Sequence, residues 1–259
     1  MGLATLVVHD DLSRHAIAYR EMSLLLRRLP GREAYPGDMF YQHSRLLERA
    51  GRLHDRLGGG SLTALPIIET QRGELSAYIP TNVVSITDGQ IYLQAELFHQ
   101  GQRPAVHPSL SVSRVGTKSQ DPAMQRVANV LRRDLAAYRD IRSFADLGSE
   151  IDRFTRRALD RGERLLEILK QGPGVPLAFG EELAVLMGAG QGMLDAIPLD
   201  QVAAFEALFL QMLRDEYREL IAAVATPAAL DRAAADRFAE LITRARRQFA
   251  SAHDLDLEG

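Results

Sequence analysis

The chain has 259 residues, enough for one large domain or two smaller ones, and a net charge of −3 from 31 Lys and Arg against 34 Asp and Glu. It contains no cysteine, which excludes disulfides, thiolate metal ligands and cysteine nucleophiles, and its near balance of charge gives no support for electrostatic capture of nucleic acid. No apolar run approaches the ~20 residues of a membrane span and the N-terminus lacks a basic region, so we expect neither a membrane span nor a signal peptide.

The first half of the chain alternates short apolar runs with helical patterns. The apolar run 3–8 predicts a strand that is buried on both faces of a parallel sheet. Helices are predicted over 12–28, with Ser13 in the N-cap position, and over 38–57. Further strands are predicted over 62–68, 83–86, 91–93 and 110–112. This order of elements indicates an α/β layer with a largely parallel sheet.

The second half is helical in pattern almost throughout. Apolar residues recur at helical spacing over 123–144, 151–170, 179–187, 202–220 and 238–249. The glycines of 188–192 do not form a dinucleotide-binding pattern, and we expect them to mark the end of a helix. The sequence therefore predicts two domains: residues 1–119 with the α/β layer, and residues 120–259 with an all-α helical bundle.

Two acidic residues, Asp10 and Asp11, lie where the first predicted strand would end. A carboxylate at the carboxyl end of a parallel strand lies where α/β sheets bind ligands, and in nucleotide hydrolases that position orients Mg²⁺ or its waters. The same residues would equally cap the following helix, and the pattern does not decide between the two roles. A phosphate-binding loop, with the pattern Gly-x₄-Gly-Lys-Ser/Thr, should accompany a magnesium site, and this pattern is absent. The segment 116–119 comes near to it, but its lysine follows threonine rather than glycine.

Arg114 lies just beyond the last predicted strand. Its planar guanidinium suits two phosphate oxygens at once, so an arginine presented there can donate to a phosphate across a cleft or a subunit boundary. For an arginine without further context, a surface salt bridge is the more common role. The seven histidines have no metal-ligand spacing, and the Gly-x-Ser-x-Gly elbow of hydrolases does not occur.

Four collinear segments carry a family resemblance: 30–50, 58–70, 78–91 and 104–113. The first contains PGREAYPGD and SRLLERA, the second is GGGSLTALPIIET, the third contains YIPTN and SITDGQI, and the fourth contains PAVH and SVS. Together they resemble the alpha subunit of F-type ATP synthases, and the catalytic beta subunit fits them less well. The resemblance covers the whole chain, weakens after about Gly172 and corresponds to roughly the C-terminal half of an alpha subunit.

The resemblance implies a fold and three catalytic residues. The fold is an incomplete RecA-like nucleotide-binding domain with a mostly parallel sheet, lacking the barrel and phosphate-binding loop, followed by a helical domain. Arg114 matches the arginine finger, which reaches into the catalytic site of the neighbouring beta subunit and stabilises charge on the transferring γ-phosphoryl group. Ser111 lies in the same segment, and Ser85 matches a residue at the same interface between alpha and beta.

A second set of residues matches the alpha subunit's own non-catalytic nucleotide site. Asp10 matches the strand-end aspartate that contacts Mg²⁺ through water. Arg103, Pro104 and Gln171 match positions around the adenine, whereas Pro173 stands where the family has a second glutamine. The implied cofactor is ATP or ADP with Mg²⁺, in a site that is incomplete in this chain.

The resemblance implies a regulatory alpha subunit that couples ion translocation to ATP synthesis or hydrolysis. Its partners would be beta, in an alternating ring, together with gamma and delta, and no nucleic acid is expected. The complex would be peripheral on the cytoplasmic face of the bacterial inner membrane. The isolated chain is expected to be inactive and to expose apolar sheet surface. The alternative is a truncated, nucleotide-incompetent interaction or assembly module.

Overall fold

The computed structural model describes residues 2–145, 152–225 and 232–255. The chain divides into two compact units, Met1–Gln94 with His107–Val115, and Ala95–Val106 with Gly116–Gly259. In chain order the elements are β1 (Ala4–His9), α1 (Leu12–Leu25), α2 (Met39–Leu47), β2 (Gly51–Arg52), β3 (Ser61–Pro66), α3 (Tyr78–Ile86), β4 (Gly89–Gln90), α4 (Ala95–His99), β5 (Val112–Ser113), α5 (Gly116–Ser119), α6 (Pro122–Ala145), α7 (Arg153–Ile168), α8 (Phe179–Gly190), α9 (Val202–Glu216), α10 (Arg218–Ala225) and α11 (Arg232–His253).

A three-stranded sheet organises the first unit. β1 pairs with β3 in parallel, in a register that runs from Ala4 opposite Ser61 to His9 opposite Pro66. β2 adds a short antiparallel pair on the other side of β3, so the strand order is β1-β3-β2. Parallel strands need a crossover connection, which α1 and α2 provide here. The predicted α/β class and the strands at 3–8 and 62–68 are confirmed.

The burial predicted for the first strand is wrong. Leu6 and Val8 are 60% and 53% exposed, although the sequence predicted a strand buried on both faces. β1 lies at the edge of the described sheet, and no described element covers these two side chains. The apolar sheet surface that we expected to be exposed is therefore observed.

Two predicted helices of the first unit are shorter than their sequence pattern. α1 ends at Leu25 rather than at residue 28, and α2 ends at Leu47 rather than at residue 57. The second helix is shortened because the chain turns into β2, where Arg52 pairs with Ser61. Gly58 then ends the turn that follows β2. Its φ of 98° lies in the left-handed region, which glycine adopts without steric cost.

The segment 83–86, predicted as a strand, is the end of helix α3. Ile79 and Val83 are four residues apart and both buried, so they form one face of the helix in the cluster that contains Met39 of α2. This packing overrides the local preference of a β-branched run for a strand. The strands predicted at 91–93 and 110–112 are displaced to β4 and β5, which pair antiparallel with each other.

The N-cap of α1 is Asp11 rather than Ser13. The backbone N–H of Arg14 donates to Oδ1 of Asp11 at 2.6 Å, whereas Ser13 Oγ accepts from the backbone N–H of Glu69 at 2.9 Å. A carboxylate at this position also interacts favourably with the positive end of the helix dipole. The capping role considered for both aspartates therefore belongs to Asp11.

Replacing Asp11 with alanine should lower the free energy of unfolding by about 1 kcal/mol, because the first turn of α1 loses its side-chain acceptor. Urea denaturation followed by circular dichroism measures this change. Asp10→Ala is the matched control, since the exposed side chain of Asp10 caps no helix, and it should change stability by less than about 0.5 kcal/mol. Equal losses in the two variants would contradict the assignment of the cap.

A buried histidine lies between the first two helices. His43 of α2 is fully buried, and its Nε2 is 3.2 Å from Nδ1 of His15 in α1. Burial, and to a smaller extent the charge of His15, lower the pKa of His43 from 6.5 to about 4. The folded state therefore holds this imidazole in its neutral form at pH values where a free histidine becomes charged.

The stability of the first unit should fall as the pH drops from about 6.5 to about 4. The folded pKa of His43 lies below the unfolded value, so in this window the unfolded chain takes up a proton that the folded chain does not. The stabilisation is present above pH 6.5 and is lost towards pH 4, an effect of about 3 kcal/mol. Urea denaturation across this range measures the loss, which should be smaller in His43→Gln. An equal change of the free energy of unfolding with pH in both proteins would contradict the prediction.

The helical unit has α9 at its centre. Phe205 and Phe209 of α9 are fully buried, one helical turn apart. Their rings contact Phe249 and Phe238 of α11 edge to face, with centroids 5.4 Å and 6.2 Å apart. Aromatic pairs prefer this arrangement because the ring edge is positive and the ring face negative. The helical patterns at 202–220 and 238–249 are confirmed, although a break at Tyr217 divides the first into α9 and α10.

The other predicted helices of this unit are confirmed as α6, α7 and α8, and residue 151 of the second prediction lies outside the described residues. α8 ends at Gly190 and Gly192 has a φ of 85°, so the glycines of 188–192 mark a helix end as expected. Among the helices that the structure describes, we find none long and apolar enough to span a membrane.

Candidate functional site

Arg114 directly follows β5 in the first unit. Its backbone N–H donates to the carbonyl oxygen of Asp88 at 2.7 Å, which fixes the position of its Cα. Its Nη2 donates to the carbonyl oxygen of Thr87, and its Nε is 3.9 Å from Oδ1 of Asp88. The side chain is nevertheless 58% exposed. The guanidinium therefore rests on the turn at 87–88 while part of it still faces solvent.

The pairing of β4 with β5 brings the three predicted catalytic residues into neighbouring segments. Gly89 lies opposite Ser113, so the turn that follows α3 is next to the strand that precedes Arg114. A Cβ at Gly89 would overlap the carbonyl oxygen of Val112 and approach Cα of Ser113 to 2.8 Å. Only glycine allows this close pairing of the two backbones.

The two predicted serines make different contacts. Ser111 Oγ accepts from the backbone N–H of Tyr92 at 3.0 Å, so this hydroxyl helps to hold the two segments together. Ser85 is exposed near the end of α3, and its Oγ donates to the carbonyl oxygen of Asn82 at 2.6 Å. Ser111 therefore has a positioning contact in this chain, whereas Ser85 bonds only to its own helix among the described residues.

Asp10 lies where β1 ends, at the carboxyl edge of the parallel pair. Its carboxylate is exposed and makes no hydrogen bond or ion pair with any residue that the structure describes. An unpaired carboxylate at this edge suits a hard cation or its waters. No group of three or more side chains able to hold a metal occurs among the described residues, so a cation here would depend on ligands from elsewhere.

The three predicted adenine-site residues lie together in the second unit. The backbone N–H of Gln171 donates to the carbonyl oxygen of Arg103 at 2.8 Å, which joins the segment after α7 to the segment that contains Pro104. The guanidinium of Arg103 lies 4.5 Å from the ring centroid of Phe98. The amide Nε2 of Gln171 donates to the carbonyl oxygen of Val175 at 2.8 Å. The structure thus joins the segments that carry Arg103 and Gln171, and the role of the three residues around adenine stays a prediction.

Sequence reasoning missed three residues that position Arg114 and Ser111. Thr87 and Asp88 provide the acceptors for the arginine, and Tyr92 provides the donor to the serine. These contacts use backbone groups, which leave little trace in residue type. The available signal was the turn-forming pair Asp88-Gly89, which indicates a chain reversal next to the predicted strand.

Two models of protein families match successive parts of the chain. Residues 1–113 match the model of the ATP synthase alpha/beta family, nucleotide-binding domain. Residues 120–245 match the model of the ATP synthase alpha/beta chain, C terminal domain. The chain belongs to the ATP synthase alpha/beta family. The two matched ranges leave out 114–119, so Arg114 lies one residue beyond the first of them.

Relatives within the ATP synthase alpha/beta family are named ATP synthase subunit alpha. The protein from Syntrophomonas wolfei is 54% identical over 249 residues, which cover 96% of this chain and 49% of the relative. Those from Anaplasma phagocytophilum and Clostridium kluyveri are 56% and 57% identical, each over 85% of this chain and 44% of the relative. The chain thus spans about half the length of the curated relatives it matches, and the resemblance to alpha subunits is confirmed.

Proposed function

We propose that this chain serves as the alpha subunit, or a part of it, in an F-type rotary ATP synthase. The observation that carries the proposal is the identity of 54–57% to proteins named ATP synthase subunit alpha. In this role the chain couples ion translocation to ATP synthesis or hydrolysis and acts as a regulatory subunit. It contributes to chemistry at a site on its neighbour rather than turning over ATP alone.

Arg114 is the residue that we assign to that neighbouring site. An exposed guanidinium held at a defined Cα position supports this role, because a finger must reach across a subunit boundary from a rigid base. On approach of a γ-phosphate, Nη2 would exchange the carbonyl oxygen of Thr87 for a phosphate oxygen, a stronger charge-assisted acceptor. Asp88 would keep the arginine oriented until then. Ser111 and Ser85 belong to the segments that support this geometry.

Each of the two units also carries residues for which we propose a nucleotide contact. Asp10 would hold Mg²⁺ through water, and Arg103, Pro104 and Gln171 would contact adenine. Bound Mg²⁺ would neutralise phosphate charge there. The 259 residues contain no Gly-x₄-Gly-Lys-Ser/Thr loop, whose backbone N–H groups would anchor the phosphates. We therefore infer that this chain alone binds ATP weakly and is inactive, and that its nucleotide site is regulatory.

The assembly that follows is a ring in which this subunit alternates with beta around gamma, with delta as a further partner. It would be peripheral on the cytoplasmic face of a bacterial inner membrane. A second role as a nucleotide-incompetent assembly module is favoured by one observation, the exposed apolar side chains of β1. Such a surface suits association with another polypeptide without any need for nucleotide.

A chimeric subunit separates the two roles. The 219 matched residues of the Clostridium kluyveri alpha subunit are replaced by the corresponding residues of this chain, and the chimera is expressed with the other subunits of that enzyme. We expect an assembled complex that hydrolyses ATP at a rate near that of the parent. Assembly with no hydrolysis would support the assembly module instead. Failure to assemble, with a chimera that is itself folded by circular dichroism, would contradict both roles.

A further inference from the structure

A cavity of about 270 Å³ opens between α6, α8 and α10 of the helical unit. Its most buried lining residues are Ala123, Leu183 and Val224. Half-buried aliphatic side chains of α6 and α8, including Val127 and Val130, complete the walls. The cavity belongs to a single unit, and none of the residues assigned above to nucleotide or phosphate contacts lines it.

The lining has one charged side chain, that of Arg126, and it contains no carboxylate. Arg126 makes no hydrogen bond or ion pair with the part of the chain that the structure describes. By contrast Arg161, which donates to the carbonyl oxygen of the lining residue Gly190, is paired with Asp134 and Asp195. An aliphatic cavity with an unpaired guanidinium in its lining is complementary to a ligand with an apolar body and an anionic end.

We propose that this cavity binds a medium-chain alkyl carboxylate, with the carboxylate on Arg126 and the alkyl chain between α6 and α8. A group the size of a water molecule occupies ~30 Å³, so the cavity has room for about nine such groups. This number fits an alkyl carboxylate of about eight carbons. The guanidinium would bind both carboxylate oxygens. This inference does not depend on the proposed function, because no nucleotide and no partner subunit takes part.

The absence of a side chain at Gly190 keeps one wall of the cavity open. A Cβ built there would lie 3.8 Å from Cγ1 of Val130, an ordinary van der Waals distance, so a larger residue fits without displacing the backbone. Gly190→Leu would therefore place its side chain in the space that the ligand needs. This variant tests occupancy of the cavity separately from the charge of Arg126.

Calorimetric titration of the full 259-residue chain with octanoate tests the proposal. We expect saturable binding of one octanoate per chain. Affinity should rise about fourfold for each methylene from butanoate to octanoate, because each added group is buried. Octylammonium should bind at least tenfold more weakly than octanoate. Absence of saturable binding, or equal affinity for octanoate and octylammonium, would overturn the proposal.

Three variants complete the test. Arg126→Gln should weaken octanoate binding about tenfold or more and leave the affinity for octanol unchanged. Gly190→Leu should weaken the binding of both octanoate and octanol. Val130→Phe, which enlarges a lining side chain of α6, replaces it if the leucine variant does not fold. Arg132→Gln, an exposed arginine of the same helix outside the lining, is the matched control and should bind as the parent does. Unchanged octanoate binding in Arg126→Gln would refute the site.

Discussion

Replacing Arg114 with alanine in the chimeric ATP synthase should reduce the rate of ATP hydrolysis by about 10³–10⁵-fold. The guanidinium is expected to stabilise charge on the γ-phosphoryl group in the transition state, and alanine provides neither charge nor donor. Assembly should be largely retained, because the ion pair with Asp88 is exposed and such pairs stabilise proteins by about 1 kcal/mol or less. Steady-state hydrolysis by the purified complex measures the effect.

Two further variants identify what Arg114 contributes. Arg114→Lys keeps the charge but loses the planar fork, so its rate should lie between those of the parent and of the alanine variant. Arg49→Ala removes an exposed arginine of the same unit and is the matched control, with an expected rate close to the parent. Near-parental hydrolysis by Arg114→Ala in a fully assembled complex would exclude Arg114 as the finger.

Replacing Phe209 with alanine should lower the free energy of unfolding of the helical unit by about 3–5 kcal/mol. Phe209 is fully buried, and the substitution removes both its apolar area and its edge-to-face contact with Phe238. Urea denaturation followed by circular dichroism at 222 nm measures the loss.

Phe154→Ala is the control for that experiment. Phe154 lies on α7 of the same unit but is 82% exposed, so its removal should change stability by less than about 0.5 kcal/mol. The two substitutions delete the same atoms, and only the burial of the ring differs. A loss below about 1 kcal/mol in Phe209→Ala would place the core of this unit elsewhere.

The long helices were predictable because their apolar residues repeat over several turns. In α9 and α11 the pattern and the final packing agree, since Phe205 and Phe249 are placed by helical spacing on faces that meet. The shorter elements were not predictable in this way. The run at 83–86 has residues typical of a strand, and only the burial of Val83 beside Met39 of another helix makes it helical.

The sequence pointed to residues for the candidate site but not to their geometry. The resemblance to alpha subunits pointed to Arg114, and the structure adds the partners that hold it. Thr87 is 27 positions away along the chain and contributes a carbonyl oxygen, a group that every residue carries. A contact of this kind depends on the pairing of β4 with β5, and the predicted ends of these strands were wrong by one to three residues.

The edge position of β1 has a consequence for the exchange of its backbone amides with solvent. The carbonyl oxygens of Leu3 and His9 accept from the backbone N–H groups of Ser61 in β3 and of Ile67 just after it. In a strand, alternate residues point to the same side. Residues an even number of positions from these two direct their backbone groups towards β3. The backbone groups of Leu6 and Val8 point instead to the open edge. Amide hydrogens along this strand therefore alternate between protected and rapidly exchanging, with a period of two residues.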